Sequence, residues 1–130
     1  MKIKQVSVFV ENKPGRFVEV LETLEKDKIS IRGLSVSDAA DIGIVRMILT
    51  DPDKAVNDLK RAGFTVRTDT VLSAEMPDVP GGLLHRVARP LSEAGVNLLY
   101  FYVYTDTATR KPVVIVKTDN LDKSEMILGK

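Results

Sequence analysis

Residues 8–24 read VFVENKPGRFVEVLETL, and the way this stretch divides decides the fold. Before Glu11 the chain is apolar and β-branched. The run IKQVSVFV (3–10) places Ile3, Val6, Val8, Phe9 and Val10 among early polar residues, the pattern of a strand half-buried at its start and fully buried at its end. After the turn the period changes. Phe17, Val20, Leu21 and Leu24 fall at i, i+3, i+4 and i+7, one face of a helix, with Glu19, Glu22, Glu25 and Lys26 on the other. A strand therefore passes through Asn12-Lys13-Pro14-Gly15 directly into a helix.

Working outward, ISIRGLSVS (29–37) alternates as a second strand, and GIVRMILT (43–50) has the β-branched density of a third. DPDKAVNDLKRAG gives a second helix with Asp51 as N-cap, Pro52 at the first helical position and Gly63 as the stop. FTVRT (64–68) closes the half as a fourth strand. The order β-α-β-β-α-β is the ferredoxin-like one.

The order then repeats. TVLSAEM (70–76) reads as a strand, PDVPGG as the turn, and Leu83, Leu84, Val87 and Leu91 as a helical face. GVNLLYFYVYT (95–105) and PVVIVKT (112–118) are further strands, and Asp119 or Asn120 caps a last helix. NKPGRF falls on DVPGGL at an offset of 66 residues and later strands fit at about 67, because the second helix carries one more residue. Pro90 in that helix predicts a kink costing ~3 kcal/mol in an unadapted helix. DKAVNDL aligns with DKSEMIL (122–128), after which only Gly129 and Lys130 follow. The expectation is thus two repeats, 1–68 and 69–130, pairing into one antiparallel sheet with helices on one face, the second repeat lacking its last strand. Its exposed edge is either open or covered by another part of the chain or a second chain, and an open edge favours self-association.

Composition removes several classes of function. Net charge is +1, from 19 basic and 18 acidic residues, so no electrostatic footprint points to nucleic acid or an anionic membrane. There is no cysteine, which excludes disulfides, thiolate metal sites and cysteine nucleophiles. With a single histidine as well, no metal or other cofactor is expected. No signal-peptide core or membrane-length apolar stretch occurs, so a cytoplasmic location is the default expectation.

The repeated Asx-x-Pro-Gly turn has a physical use. Proline stiffens it, glycine admits close backbone approach, and the free N–H groups at the helix start suit a carboxylate. The Asn12 amide can both donate and accept. The structural alternative makes Asn12 a capping residue and Gly15 a turn former. Finding the turn twice in register weighs against that.

VENKPGRFVEVLETLEKDKISIRGLSV resembles the first half of an ACT domain, and the second half resembles a further, incomplete copy. The resemblance covers essentially the whole chain. It implies small ferredoxin-like modules that bind amino acids and regulate metabolic enzymes, commonly pairing side by side with the ligand at the seam. That site lies between the first loop of one domain and the start of the second strand of its neighbour. In the regulatory domains of phosphoglycerate dehydrogenases an Asn in the loop and an Asn in a G-V-N-I-like stretch hold serine. Asn12 matches the first and Asn97, in GVNLL, the second. The implied ligand-binding residues are Asn12, Lys13, Pro14, Gly15 and Arg16 with Asn97 and Leu98 at one seam, and Ser30 and Ile31 with Asp78, Val79, Gly81 and Gly82 at the other. Asp78 departs from the pattern and would repel a carboxylate, so the second site is expected to be weakened or altered.

Other residues carry weaker signals. Tyr100, Tyr102 and Tyr104 alternate along one strand face, opposite Leu99, Phe101 and Val103; sheet packing is favoured over a ligand or chain-docking role. An RNA-recognition module shares the topology but needs basic and glycine residues among its aromatics, and these are absent. His85 has no identifiable catalytic partner, and Arg32, Arg46, Arg67, Arg86 and Arg89 are read as mostly solvated. GGL (81–83) lacks the lysine and spacing of a phosphate loop. The expected function is a non-enzymatic regulatory module that binds a small free amino acid, works as a homodimer and signals to a metabolic enzyme. The alternative is a ligand-free interaction subunit of a larger biosynthetic enzyme.

Overall fold

The computed structural model describes residues 1–39 and 41–129. Its strands and helices sort into two compact units, one formed by Lys4–Asp69 and the other by residues 70–129 together with Met1–Ile3. The first contains β1 (Lys2–Glu11), α1 (Arg16–Lys26), β2 (Ile31–Ala39), β3 (Ile42–Leu49), α2 (Pro52–Arg61) and the first half of β4 (Thr65–Glu75). Its ladder order is β2-β3-β1-β4, with β3 antiparallel to both β1 and β2. This is the ferredoxin-like order expected from the sequence.

Hydrophobic burial builds the unit. Val20 and Leu24 of α1 and Ala55 and Leu59 of α2 are buried against Val6, Val8 and Val10 of β1 and Val45, Met47 and Leu49 of β3. Removing a side chain such as Leu24 is expected to cost ~2–5 kcal/mol. The Asp51 side chain accepts the Lys54 amide at 3.3 Å, confirming its role as N-cap, and Gly63 takes a left-handed φ of 93° at the helix stop. On the strand face away from the helices the first unit carries polar groups. Gln5 Nε2 donates to the Ser7 hydroxyl at 3.5 Å, Ser7 donates to Asp69 at 3.3 Å, and Arg67 pairs with Asp69 at 3.4 Å. Gln5 and Ser7 are fully buried.

That network explains a correction. The segments 64–68 and 70–76 were expected as two strands, but β4 runs unbroken through Asp69 from Thr65 to Glu75. A polar residue in mid-strand normally marks a turn; here its carboxylate is satisfied inside the unit, so the extended backbone continues.

The second unit contains the rest of β4, a π-helical turn (Leu84–Ala88) running into α3 (Arg89–Glu93), β5 (Leu98–Thr105), β6 (Pro112–Thr118) and α4 (Leu121–Leu128). Its order is β1-β4-β6-β5, the share of β1 being Met1–Ile3. Val87, Leu91 and Leu128 close over Leu72, Ala74, Val114 and Val116. The last helix is capped by Asn120, whose side chain accepts the Lys123 amide at 3.1 Å, and not by Asp119.

Two further expectations change. The place of the missing strand beside β4 is taken by the chain's own first residues: Met1 and Ser73 exchange backbone hydrogen bonds at 2.8 and 3.0 Å, the reciprocal pattern of an antiparallel pair. The ground for self-association at that edge therefore falls away. The extra helical residue and Pro90 also resolve together. The Arg89 amide reaches back to the Leu84 carbonyl, a wider turn that takes up one inserted residue, and Pro90 follows directly where this turn has already interrupted the regular ladder.

Candidate functional site

Within the first unit a cavity of about 230 Å³ opens between the β1–α1 turn and the end of the β2–β3 hairpin. Val10, Phe17, Val36 and Val45 form its apolar walls, with Gly43 between strands and Glu11, Asn12, Lys13, Ser37 and Asp38 at the polar rim. The backbone builds one side of it. Gly15 adopts φ 88°, which glycine alone takes without strain, and so turns the chain into α1. The Gly15 carbonyl accepts the Glu19 amide at 3.1 Å and the Lys13 carbonyl accepts the Arg16 amide at 3.3 Å. The Phe17 and Val18 amides of the first turn find no acceptor among the described residues.

Two of the rim side chains, those of Asn12 and Asp38, are also unspent among the described residues. The Asn12 backbone amide donates to Asp41 at 2.9 Å, yet neither its side-chain amide nor the Asp38 carboxylate has a partner among the described residues. Ser37 differs, since its hydroxyl accepts from Arg46 at 3.2 Å. Lys13 turns to Glu11 at 3.1 Å, which lowers the Glu11 pKa below its usual value through that hydrogen bond and charge. Arg16 bonds Glu19 through Nη1 at 2.7 Å and lies 4.6 Å over the Phe64 ring, while its Nε is buried with no acceptor among the described residues. An amide, a carboxylate and free helix-start amides around an apolar hollow can receive a small zwitterion.

Ser30 and Ile31 stand at the other end of the same unit. The Ser30 amide donates to the Thr50 hydroxyl at 3.0 Å and its carbonyl accepts the Thr50 amide at 3.1 Å. Between Asp41, bonded to Asn12, and Thr50 runs the whole of β3, on the order of 30 Å. The unit thus brings Asn12–Arg16 together and keeps Ser30 and Ile31 apart from them.

The second unit repeats this layout. Asn97 and Asp119 reproduce the Ser30–Thr50 pairing, with the Asn97 amide donating to Asp119 Oδ1 at 3.1 Å and its carbonyl accepting the Asp119 amide at 3.1 Å. Leu98 begins β5 beside them. At the opposite end Asp78 lines a cavity of about 440 Å³ with Glu75, Met76, Pro77, Arg110, Lys111 and Pro112. Val79 is exposed, Gly81 has φ 80° with the His85 ring against it, and Gly82 is locked by the Pro77 carbonyl, 2.2 Å from where a Cβ would stand. Matching Thr50 to Asp119 sets Pro112 in the place of Gly43, and the ladders then set Thr105 in the place of Asp38. The second cleft carries Glu75, Asp78, Arg110 and Lys111, the first Glu11, Lys13 and Asp38.

Asp38 and Gly43 were not singled out from the sequence. A glycine inside a strand pattern was the available signal. Tyr100, Tyr102 and Tyr104 are half-buried, whereas Leu99, Phe101 and Val103 are about half exposed. Among the described residues no group of three or more potential ligands could hold a metal, and no helix is long and apolar enough to cross a membrane.

A family model described as an ACT domain pair matches residues 1–130. Among solved structures, protein BT0572 from Bacteroides thetaiotaomicron is 38% identical, with a TM-score of 0.90 over 99% of this chain and 88% of that one. The ligand-free regulatory subunit of aspartate kinase from Thermus thermophilus superposes with a TM-score of 0.67 at 13% identity, over 97% of this chain and 88% of that one. The regulatory subunit from Thermus flavus gives 0.64 at 14%, over 99% and 92%. At such identities the last two show a shared fold. A search of curated protein sequences finds no match.

Proposed function

The chain belongs to the ACT domain pair family, and on that premise we propose that it is a non-catalytic regulatory module that binds a small free amino acid and passes the bound state to a metabolic enzyme or regulator. One observation carries the reading: in the first unit Asn12 and Asp38, whose side chains have no partner among the described residues, and Phe17 in the first turn of α1 line one small cleft. Ligand pockets are typically apolar hollows with few, well-placed polar groups. The family resemblance also implies a ligand-binding role for Asn97 and Leu98 of the second unit. Asp78 and Pro112 make the second cleft the weakened one. A ligand shifts the module only through different affinity for its alternative arrangements.

A homodimer is part of the proposal. β2 and β5 each pair on one side only, and their rows Leu34 and Val36, and Leu99, Phe101 and Val103, are exposed. The same rows favour a second reading, an interaction subunit with no ligand of its own. Thermal unfolding with each of the twenty L-amino acids separates the two, since a ligand of the folded state raises stability by RT ln(1 + [L]/Kd). A rise that Asn12→Ala abolishes supports the module. No rise with any of the twenty favours the interaction subunit.

A further inference from the structure

We propose that Gly43 and Asp38 decide what the first cleft accepts, Gly43 as its open floor and Asp38 as the anchor for a free α-ammonium group. This rests on the reading of that cleft as an amino-acid site and specifies its chemistry.

Gly43 is a glycine that the fold does not require. It lies inside β3, opposite Val10 of β1 on one side and Asp38 of β2 on the other. Its φ is outside the left-handed region, and an added Cβ would meet only the Ser37 and Val10 carbonyl oxygens, both at an ordinary 3.7 Å. A glycine in a strand interior packs nothing and loses more chain entropy on folding than any other residue. Conformation and close packing, which explain Gly15 and Gly82, leave Gly43 unexplained. Its place does explain it. Val45 and Met47, two and four residues on, are buried under the helices, so position 43 faces the same side and any side chain there would project into the cleft.

Asp38 shares that side, since Leu34 and Val36 pair with Met47 and Val45. Three adjacent strands at one ladder level put Val10 and Asp38 roughly 10 Å apart across Gly43. An amino acid lying over Gly43 would offer its ammonium to the Asp38 carboxylate and its carboxylate to Asn12 and the α1 amides, with its side chain against Phe17 and Val36. The ammonium then meets an opposite charge at Asp38, and the carboxylate meets neutral N–H donors at the other end. The second cleft has Pro112, Thr105 and Asp78 at these three places, losing the open floor, the anchor and the amide together.

The test is calorimetric titration of the whole chain with the L-amino acid that gives the largest thermal shift among the twenty, and with its N-acetyl derivative. Wild type should bind the free amino acid and reject the acetylated one. Gly43→Ala should melt at or above the wild-type temperature yet bind at least about tenfold more weakly, and Asp38→Asn should weaken binding about tenfold while narrowing the preference for the free amine. Gly43→Val should abolish binding; if it melts early, the alanine variant carries the comparison. Equal affinity of wild type and Gly43→Ala, or unchanged amine preference in Asp38→Asn, overturns the inference while the amino-acid site stands. Failure of wild type to bind any of the twenty overturns both.

Discussion

The backbone of Met1 exchanges two hydrogen bonds with that of Ser73, the Ser73 amide donating at 2.8 Å and the Met1 nitrogen donating back at 3.0 Å. The first residues of the chain thereby serve the unit built from its second half. Next to them Lys2 pairs with Asp122 at the start of α4, while Lys4 pairs at 2.7 Å with Asp53 at the start of α2, the matching position of the other repeat. These exposed ion pairs contribute little. The strand pairing contributes more, because removing it bares one edge of β4.

Deleting residues 1–3 and restarting at Lys4 should therefore destabilise the second unit. Two backbone bonds at about 1 kcal/mol each suggest a loss of about 2 kcal/mol, with faster amide exchange at Ser73 and little change at Val8 or Val45. Hydrogen exchange read by residue checks this. Equal acceleration in both units would argue against a local role for the N-terminal residues.

The two kinds of glycine in the repeated turns should respond differently. Gly15→Ala has open space but keeps φ 88°, for a cost of ~1–2 kcal/mol. Gly82→Ala places a Cβ 2.2 Å from the Pro77 carbonyl oxygen, and the backbone must move, at ~1–3 kcal/mol or more. Denaturant unfolding of both variants should rank Gly82→Ala as the less stable.

Much of this fold is legible in the sequence. Helical spacing at Phe17, Val20, Leu21 and Leu24 placed α1, and the Asp51-Pro52 start placed α2, because burial and capping are local. Continuity of β4 was not legible, since what keeps Asp69 in the strand is a hydroxyl from β1, 62 residues earlier. The cover of the second repeat's edge was missed for a similar reason: it comes from the far end of the chain. In the cleft the turn residues announced themselves through Pro and Gly, whereas Asp38 and Gly43 acquire meaning only once β1, β2 and β3 lie side by side.

Acid should stabilise the first unit through Asp58. Its pKa is raised above the ordinary 3.8, first by hydrogen bonding with the Asp27 carboxylate, then by burial and by Asp27's charge, against which Arg61 and Lys54 act. The side chain is 12% exposed, and Asp58 Oδ2 is buried without a donor. Arg61 approaches Asp58 at 3.9 Å and Lys54 approaches Asp27 at 4.0 Å; Glu22, Glu25 and Lys26 line the same hollow. A proton on Asp58 supplies the missing donor between two carboxylates. Because the folded-state pKa lies above the unfolded one, the stabilisation is full below the unfolded pKa and is lost as pH rises through the folded pKa. Asp58→Asn, which carries a permanent donor, should melt higher than wild type at pH 7, and the gap should close toward pH 4. A gap constant with pH would rule out the shared proton.

Pro90→Ala tests whether the π turn has absorbed the proline. In an unadapted helix, replacing an interior proline should recover ~3 kcal/mol. Here Pro90 directly follows the Leu84–Ala88 π turn, where the regular ladder is already interrupted, so its missing N–H conflicts with little. Alanine at this position also frees the unfolded chain, which offsets any gain by ~0.4–1 kcal/mol. The expected change in unfolding free energy is therefore within about 1 kcal/mol of zero, measured by denaturant titration. A gain near ~3 kcal/mol would mean that the helix is strained and the wider turn a consequence of Pro90 rather than of the inserted residue. Deleting Ala88 separates these causes: if the insertion makes the π turn, the shortened helix returns to regular α geometry and Leu91 keeps its place under β6; if the proline makes it, the deletion pulls Leu91 out of the core and the second unit unfolds.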